Sequence, residues 1–139
     1  MVASIPYSYL GVNTFVRADY EQPDVRWDLI TGSGSNPYAG LDDFGRQQNC
    51  LWQKYSGSPS DLVNLNYGFN LASSRQWRED TVAPLGGYDE LYTYDDLQRL
   101  TDMERGDLNG GHTAITSPTL AQDWTLDPTG NWDAFSDTS

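Results

Sequence analysis

A chain of 139 residues with a formal net charge of -12 is sized for one ordinary domain, and its charge argues against nucleic acid as a partner, since phosphate binding needs a basic face. Hydrophobic residues are only 37% of the total, yet there are five Trp and nine Tyr, so a core here is expected to be built from large amphipathic rings, which favour strands. No apolar run is long enough for a membrane-spanning helix, so membrane insertion is not expected, and one cysteine (Cys50) beside one histidine (His112) excludes an internal disulfide and a Cys/His metal cluster.

In chain order, Tyr7 and Tyr9 share one face of a first strand that Gly11 breaks. Thr14-Phe15-Val16 and Val25–Ile30 read as two more strands, with Val25, Trp27 and Leu29 on one side. Residues 31–37 form a Gly/Ser/Pro loop. From there on, short strand-like pieces alternate with turn residues, and Asn109-Gly110 reads as a two-residue type I′ hairpin turn. Taken alone, Leu97, Leu100 and Met103 at spacing three, with Asp95 as cap and Gly106 as stop, suggest a helix. Asp far outnumbers Glu, which favours turns over helix surfaces.

An internal repeat decides against that helix. Four segments align on an acid or amide that follows an apolar residue: Leu41-Asp42, Phe69-Asn70, Tyr94-Asp95 and Leu126-Asp127. In three of them a further aromatic stands two residues before that apolar residue, at Tyr67, Tyr92 and Trp124, which puts two positions on one strand face. The anchors Asp42, Asn70, Asp95 and Asp127 can accept backbone hydrogen bonds from residues just downstream, closing an Asx-type turn. Three residues on, Gly45 and Gly130 supply a left-handed backbone position, filled by Ser73 and Gln98 in the other copies. The unit is strand, tight turn, strand. Tyr67, Phe69, Tyr92, Tyr94 and Trp124 are its expected strand packers.

The motif Tyr92-Thr93-Tyr94-Asp95-Asp96-Leu97-Gln98-Arg99-Leu100 resembles the Y-x-Y-D-x-x-G-R-L signature of the RHS/YD-repeat family. Leu41–Arg46 and Leu126–Asn131 are similar to it. The resemblance implies an all-β fold of successive antiparallel β-hairpins forming an open curved sheet, a piece of the family's shell. Residues 37–135 would hold about four repeats, residues 1–36 N-terminal β segments or a divergent repeat, and residues 136–139 a tail. In the family such repeats enclose a C-terminal payload, often a toxin, or serve in cell-surface contact. This implies a non-catalytic wall segment of a secreted or cell-surface protein, with further repeats of a longer parent chain, or other copies, as partners. Four repeats cannot close a shell, so the chain is expected to be a piece of something longer. The start at Met1 has neither a basic n-region nor an apolar h-region.

Asp127-Pro128-Thr129-Gly130 looks like the D-P-x-G stretch of the family's self-cleaving segment, but the rest of that segment is missing, and an ordinary repeat turn explains it. The adjacent pairs Asp42/Asp43, Asp89/Glu90 and Asp95/Asp96 do not suit glycosidase chemistry, because neighbours on a strand point to opposite faces. Cys50 reads as a small buried hydrophobe and His112 as a surface residue. No calcium-loop motif occurs, and no cofactor or metal is expected. The alternative function is carbohydrate binding, with Trp27, Trp52, Trp77, Trp124 and Trp132 as sugar-stacking rings.

Overall fold

The computed structural model describes residues 5–29, 39–82 and 87–138. Ile30, the loop expected at 31–37 and the boundary expected between residues 36 and 37 lie outside the described residues. The described residues contain no helix. Ten strands follow one another: β1 (Tyr7–Leu10), β2 (Thr14–Tyr20), β3 (Val25–Asp28), β4 (Asn49–Lys54), β5 (Ser60–Phe69), β6 (Arg75–Asp80), β7 (Asp89–Tyr94), β8 (Leu100–Gly106), β9 (Leu120–Leu126) and β10 (Trp132–Thr138). Neighbours in the chain are neighbours in the ladder, without a crossover, and the row is open, with β1 and β10 each paired on one side only. The fold is therefore all-β, built of successive antiparallel hairpins.

Two compact units divide the chain, Met1–Asn66 and Tyr67–Ser139. Among the described residues, the first holds the buried apolar side chains: Val16, Ala18, Leu29, Cys50 and Leu51. Around them the rings pair, with Phe15 stacked on Trp27 at 4.8 Å between centroids and Tyr20 on Trp52 at 6.0 Å. The Trp27 indole N–H donates to the Cys50 Sγ at 3.1 Å, so the cysteine is buried and partnered. Asp19 takes both Arg17 and Arg26 at 3.2 and 2.5 Å.

The second unit is put together differently. Among its described residues no apolar side chain is buried, and one charged residue is, Glu90, at 6% exposure. Register explains this. Trp77, Leu91, Glu104 and Ala121 lie opposite one another on one face, and Asp102 meets Asp123 on the same face. Arg78, Glu90 and Arg105 lie across the other face, with Tyr92 opposite Met103. Alternation puts rings and charges on both sides, and β8 has every residue from Leu100 to Arg105 half-buried. A sheet with one hidden face would alternate buried and exposed instead. The Glu90 carboxylate accepts from Arg105 Nη2 at 2.7 Å and from the Tyr92 hydroxyl, and pairs with Arg78 Nε at 3.5 Å. Burial pushes this carboxyl up, and the Tyr92 hydroxyl and the two guanidinium groups more than offset it, leaving it below its usual range.

Residues 95–99 form a turn and residues 100–106 a strand, so the helical spacing of Leu97, Leu100 and Met103 is incidental. Asn109-Gly110 is not a type I′ turn, which would need positive φ at both residues; in this loop only His112 has it, at φ +55°.

Candidate functional site

Each anchor closes its turn in the same way. At Asp42 the backbone N–H donates to the Arg46 carbonyl at 2.9 Å, and the Gly45 N–H donates to the Asp42 carbonyl at 2.9 Å. One carboxylate oxygen, Oδ1, takes the N–H groups of Phe44 and Arg46 at 2.9 and 2.8 Å, and Oδ2 takes Arg46 Nε at 2.5 Å. Asp95 repeats this with Leu97, Arg99 and the Arg99 guanidinium, at 2.9, 2.9 and 2.6 Å. Asp127 repeats it with Thr129, Asn131 and the Asn131 amide, at 2.9, 2.9 and 3.0 Å. Asn70 keeps the two backbone bonds to Ser73 and Ser74 and accepts from the Ser74 N–H at 2.9 Å.

The position three residues after each anchor is left-handed in every copy: Gly45 at φ +75°, Ser73 at +66°, Gln98 at +60° and Gly130 at +92°. Asn109 is a fifth anchor, missed in the sequence. Its Oδ1 accepts from Thr113 N–H at 2.8 Å, His112 N–H donates to its carbonyl, and the loop closes one residue later, on Ala114. The signal was present, since Leu108 precedes Asn109 as an apolar residue precedes every other anchor.

In the second unit the turns at 70, 95 and 127 form a linked row. Asn70 Nδ2 donates to Gln98 Oε1 at 2.7 Å, and Arg99 Nη1 donates to the Asp127 carbonyl at 2.8 Å. Beyond Asp127 the linking stops: Asn131 Nδ2 turns back to Asp127 Oδ2 and to Thr129 Oγ1, at 3.0 and 2.8 Å. The carboxyls respond to this geometry. The Asn131 amide and the Thr129 hydroxyl hold Asp127 far below the usual carboxylate range. The Arg99 backbone N–H, ahead of its guanidinium, holds Asp95 down. At Asp42 some desolvation acts upward, and the Arg46 and Phe44 donors outweigh it.

The five tryptophans differ in their partners and exposure. Trp27 and Trp52 are half-buried against other rings. Trp77 stacks on His112 at 3.9 Å and 18°, and its indole stands over Gly68, where an added Cβ would come within 2.0 Å of Nε1. His112 is tied to Glu79 at 3.4 Å. Beside this stack lies a cleft of about 410 Å³ lined by Gln76, Tyr92, Thr93 and Thr113 among others. Trp124 is half-buried and tilted against Phe135 at 5.6 Å. Trp132 is 70% exposed and stacks on Phe135 at 6.0 Å, so it is the tryptophan with an open ring. Tyr67, Phe69, Tyr92 and Tyr94 are all half-buried; the Tyr94 hydroxyl donates to the Arg75 carbonyl at 2.7 Å, and the Arg75 guanidinium lies over Tyr67.

One carboxyl pair escaped the sequence reading. Asp102 and Asp123 face each other across β8 and β9. Desolvation first, then a hydrogen bond and charge repulsion from Asp123, push Asp102 up to about 6. Ser136 Oγ donates to Asp123 Oδ2 at 3.1 Å. No group of three or more Cys, His, Asp or Glu among the described residues is arranged to hold a metal ion. Among the described residues no helix is long and apolar enough to cross a membrane. Comparison with protein-family models and with curated proteins gives no match.

Proposed function

We propose that this chain is a structural wall segment, a run of repeated hairpins that performs no chemistry of its own. One observation carries the reading: four anchors spread along the chain close turns of one design, each with a left-handed residue three positions later. Interchangeable corners of this kind are what a repeat scaffold needs, because each unit then contacts only its neighbours. β8, half-buried on both its faces, also suits a wall, since a self-sufficient domain hides one face of its sheet. The resemblance to RHS/YD-repeat proteins extends the proposal. The parent would be secreted or at the cell surface, and the wall would enclose a payload or make surface contacts. Further repeats of the parent chain, or other copies of the isolated chain, would be its partners.

The test is insertion of a second copy of residues 70–94 ahead of Asp95. A wall of equivalent units accepts the extra hairpin: the strand signal in circular dichroism grows, and the urea m-value rises with the added buried surface. A chain that loses cooperative unfolding on insertion is a unique domain, and the reading fails.

A second reading, carbohydrate binding, rests on Trp132, whose open ring could stack on a sugar. Trp132→Ala abolishing binding on a glycan array supports it; unchanged or absent binding removes it.

A further inference from the structure

Asn109 is the one asparagine in the sequence that a glycine follows. Glycine matters here for its nitrogen. With no Cβ beside it, the Gly110 amide is the least hindered the chain can offer, and an added Cβ there would meet nothing within 4 Å. Gly110 is exposed, and among the described residues its N–H has no hydrogen-bond acceptor. The Asn109 side chain, by contrast, is held on every polar atom. Oδ1 accepts from the Thr113 N–H at 2.8 Å and from the Ala114 N–H at 3.4 Å, and Nδ2 donates to Thr113 Oγ1 at 3.1 Å.

We propose that Asn109 is a self-modifying site, which loses its side-chain amide to attack by the Gly110 nitrogen, and that the corner keeps the resulting aspartate as a further carboxylate anchor. Hydroxide takes the Gly110 amide proton. The nitrogen bonds to Asn109 Cγ, and the carbonyl electron pair moves onto Oδ1. The Thr113 and Ala114 N–H groups already point at that oxygen, so they stabilise the charge it gains. The carbonyl then re-forms as the Cγ–Nδ2 bond breaks. Ammonia leaves with a proton from water, which the Thr113 hydroxyl, 3.1 Å from the leaving nitrogen, can relay; hydroxide is regenerated. Water next opens the five-membered ring. Breaking the bond from nitrogen to Cγ gives aspartate. Breaking the bond from nitrogen to the main-chain carbonyl carbon gives isoaspartate, with the chain running through Cγ.

The corner tells these products apart. Aspartate offers the same acceptor oxygen to the Thr113 N–H, and Asp42, Asp95 and Asp127 already do this work with a carboxylate. The Thr113 hydroxyl, which now accepts from Nδ2, turns to donate, as the Thr129 hydroxyl donates to Asp127 Oδ1 at 2.8 Å. Isoaspartate puts one extra carbon into the main chain and takes the Asn109 carbonyl out of it. The His112 N–H then loses its acceptor, and His112 leaves Trp77, on which it stacks at 3.9 Å. Asn70 is the internal contrast: its Oδ1 accepts from the Ser74 N–H at 2.9 Å, and Leu71 follows it in place of glycine.

The experiment incubates the full chain in neutral and mildly alkaline buffer and follows Asn109 and Asn70 by peptide mass spectrometry, with aspartyl and isoaspartyl products separated by chromatography. Asn109 should convert first, and faster as pH rises, while Asn70 stays intact over the same period. Gly110→Ala, at a position with room for the methyl, should slow the conversion many-fold. Thr113→Val, which keeps the backbone donor and removes the hydroxyl, should slow it several-fold. Asn109→Asp should match the parent in urea midpoint and Trp emission, whereas Asn109→Ala should lower the midpoint. The isolated isoaspartyl form should show altered Trp emission, because His112 has left Trp77. Conversion of Asn109 no faster than that of Asn70, or unchanged in Gly110→Ala, would overturn the site. An Asn109→Asp midpoint as low as that of Asn109→Ala, or an isoaspartyl form with the parent's emission, would overturn the discrimination between products.

Discussion

The turn anchors work because one side chain does several jobs within five residues. A carboxylate oxygen satisfies two backbone N–H groups that the tight corner leaves without ladder partners, and the left-handed residue three positions on brings the chain back antiparallel. At Gly45 an added Cβ would meet nothing within 4 Å, so Gly45→Ala isolates the backbone term. It should destabilise the protein by about 1 kcal/mol in urea unfolding, and Gly45→Asn by less, because Asn tolerates this region better. The depressed Asp42, Asp95 and Asp127 carboxyls have a signed consequence. Their contribution is complete above the unfolded value of 3.8 and fades as pH falls through their lower folded values. These corners were legible in the sequence because everything they need lies within five residues. Asn109 was read otherwise because the adjacent Gly110 fits a shorter turn equally well, and only the left-handed His112 separates the two.

At the scale of strands, what matters is which residues the register sets opposite one another. The row of turns in the second unit is joined by Asn70 Nδ2 to Gln98 Oε1. A double-mutant cycle with Asn70→Asp, which keeps the backbone acceptor, and Gln98→Ala should give a coupling of about 0.5 kcal/mol. The Asp102–Asp123 pair gives a pH effect of opposite sign to the corners. Asp102 is raised from 3.8 to about 6, so the native state holds a proton that the unfolded chain releases. That contribution is complete below pH 3.8 and is lost as pH rises through about 6. Asp123→Asn removes the facing charge and still lets Ser136 donate to an oxygen. The urea midpoint of the variant should exceed that of the parent at pH 7, with a smaller gap at pH 5. No sequence reading could have found this pair. It depends on the register across the connection from Asp107 to Thr119, and a slip of one residue would send the two carboxyls to opposite faces. The same holds for Trp132. It stands five residues after its anchor, where the copy before it has Leu100, and its place on an edge strand leaves it open.

Across the molecule, the composition foretold strands, turns and a thin aliphatic stock, and the hairpins follow from those. The placement of the buried apolar side chains did not follow, because it depends on which strands gather around Val16 and Ala18. Among the described residues all five lie before residue 67, while the later strands are held by half-buried rings, ion pairs and linked corners. That arrangement has a calorimetric signature. Wetting apolar surface raises the heat capacity of a chain and wetting polar surface lowers it, so a fold that hides little hydrocarbon gains little on melting. Scanning calorimetry should give an unfolding increment below the ~12–15 cal/mol/K per residue of ordinary globules. The stability curve would then be shallow, changing slowly with temperature on either side of its maximum, and the protein would resist chilling better than its modest core implies.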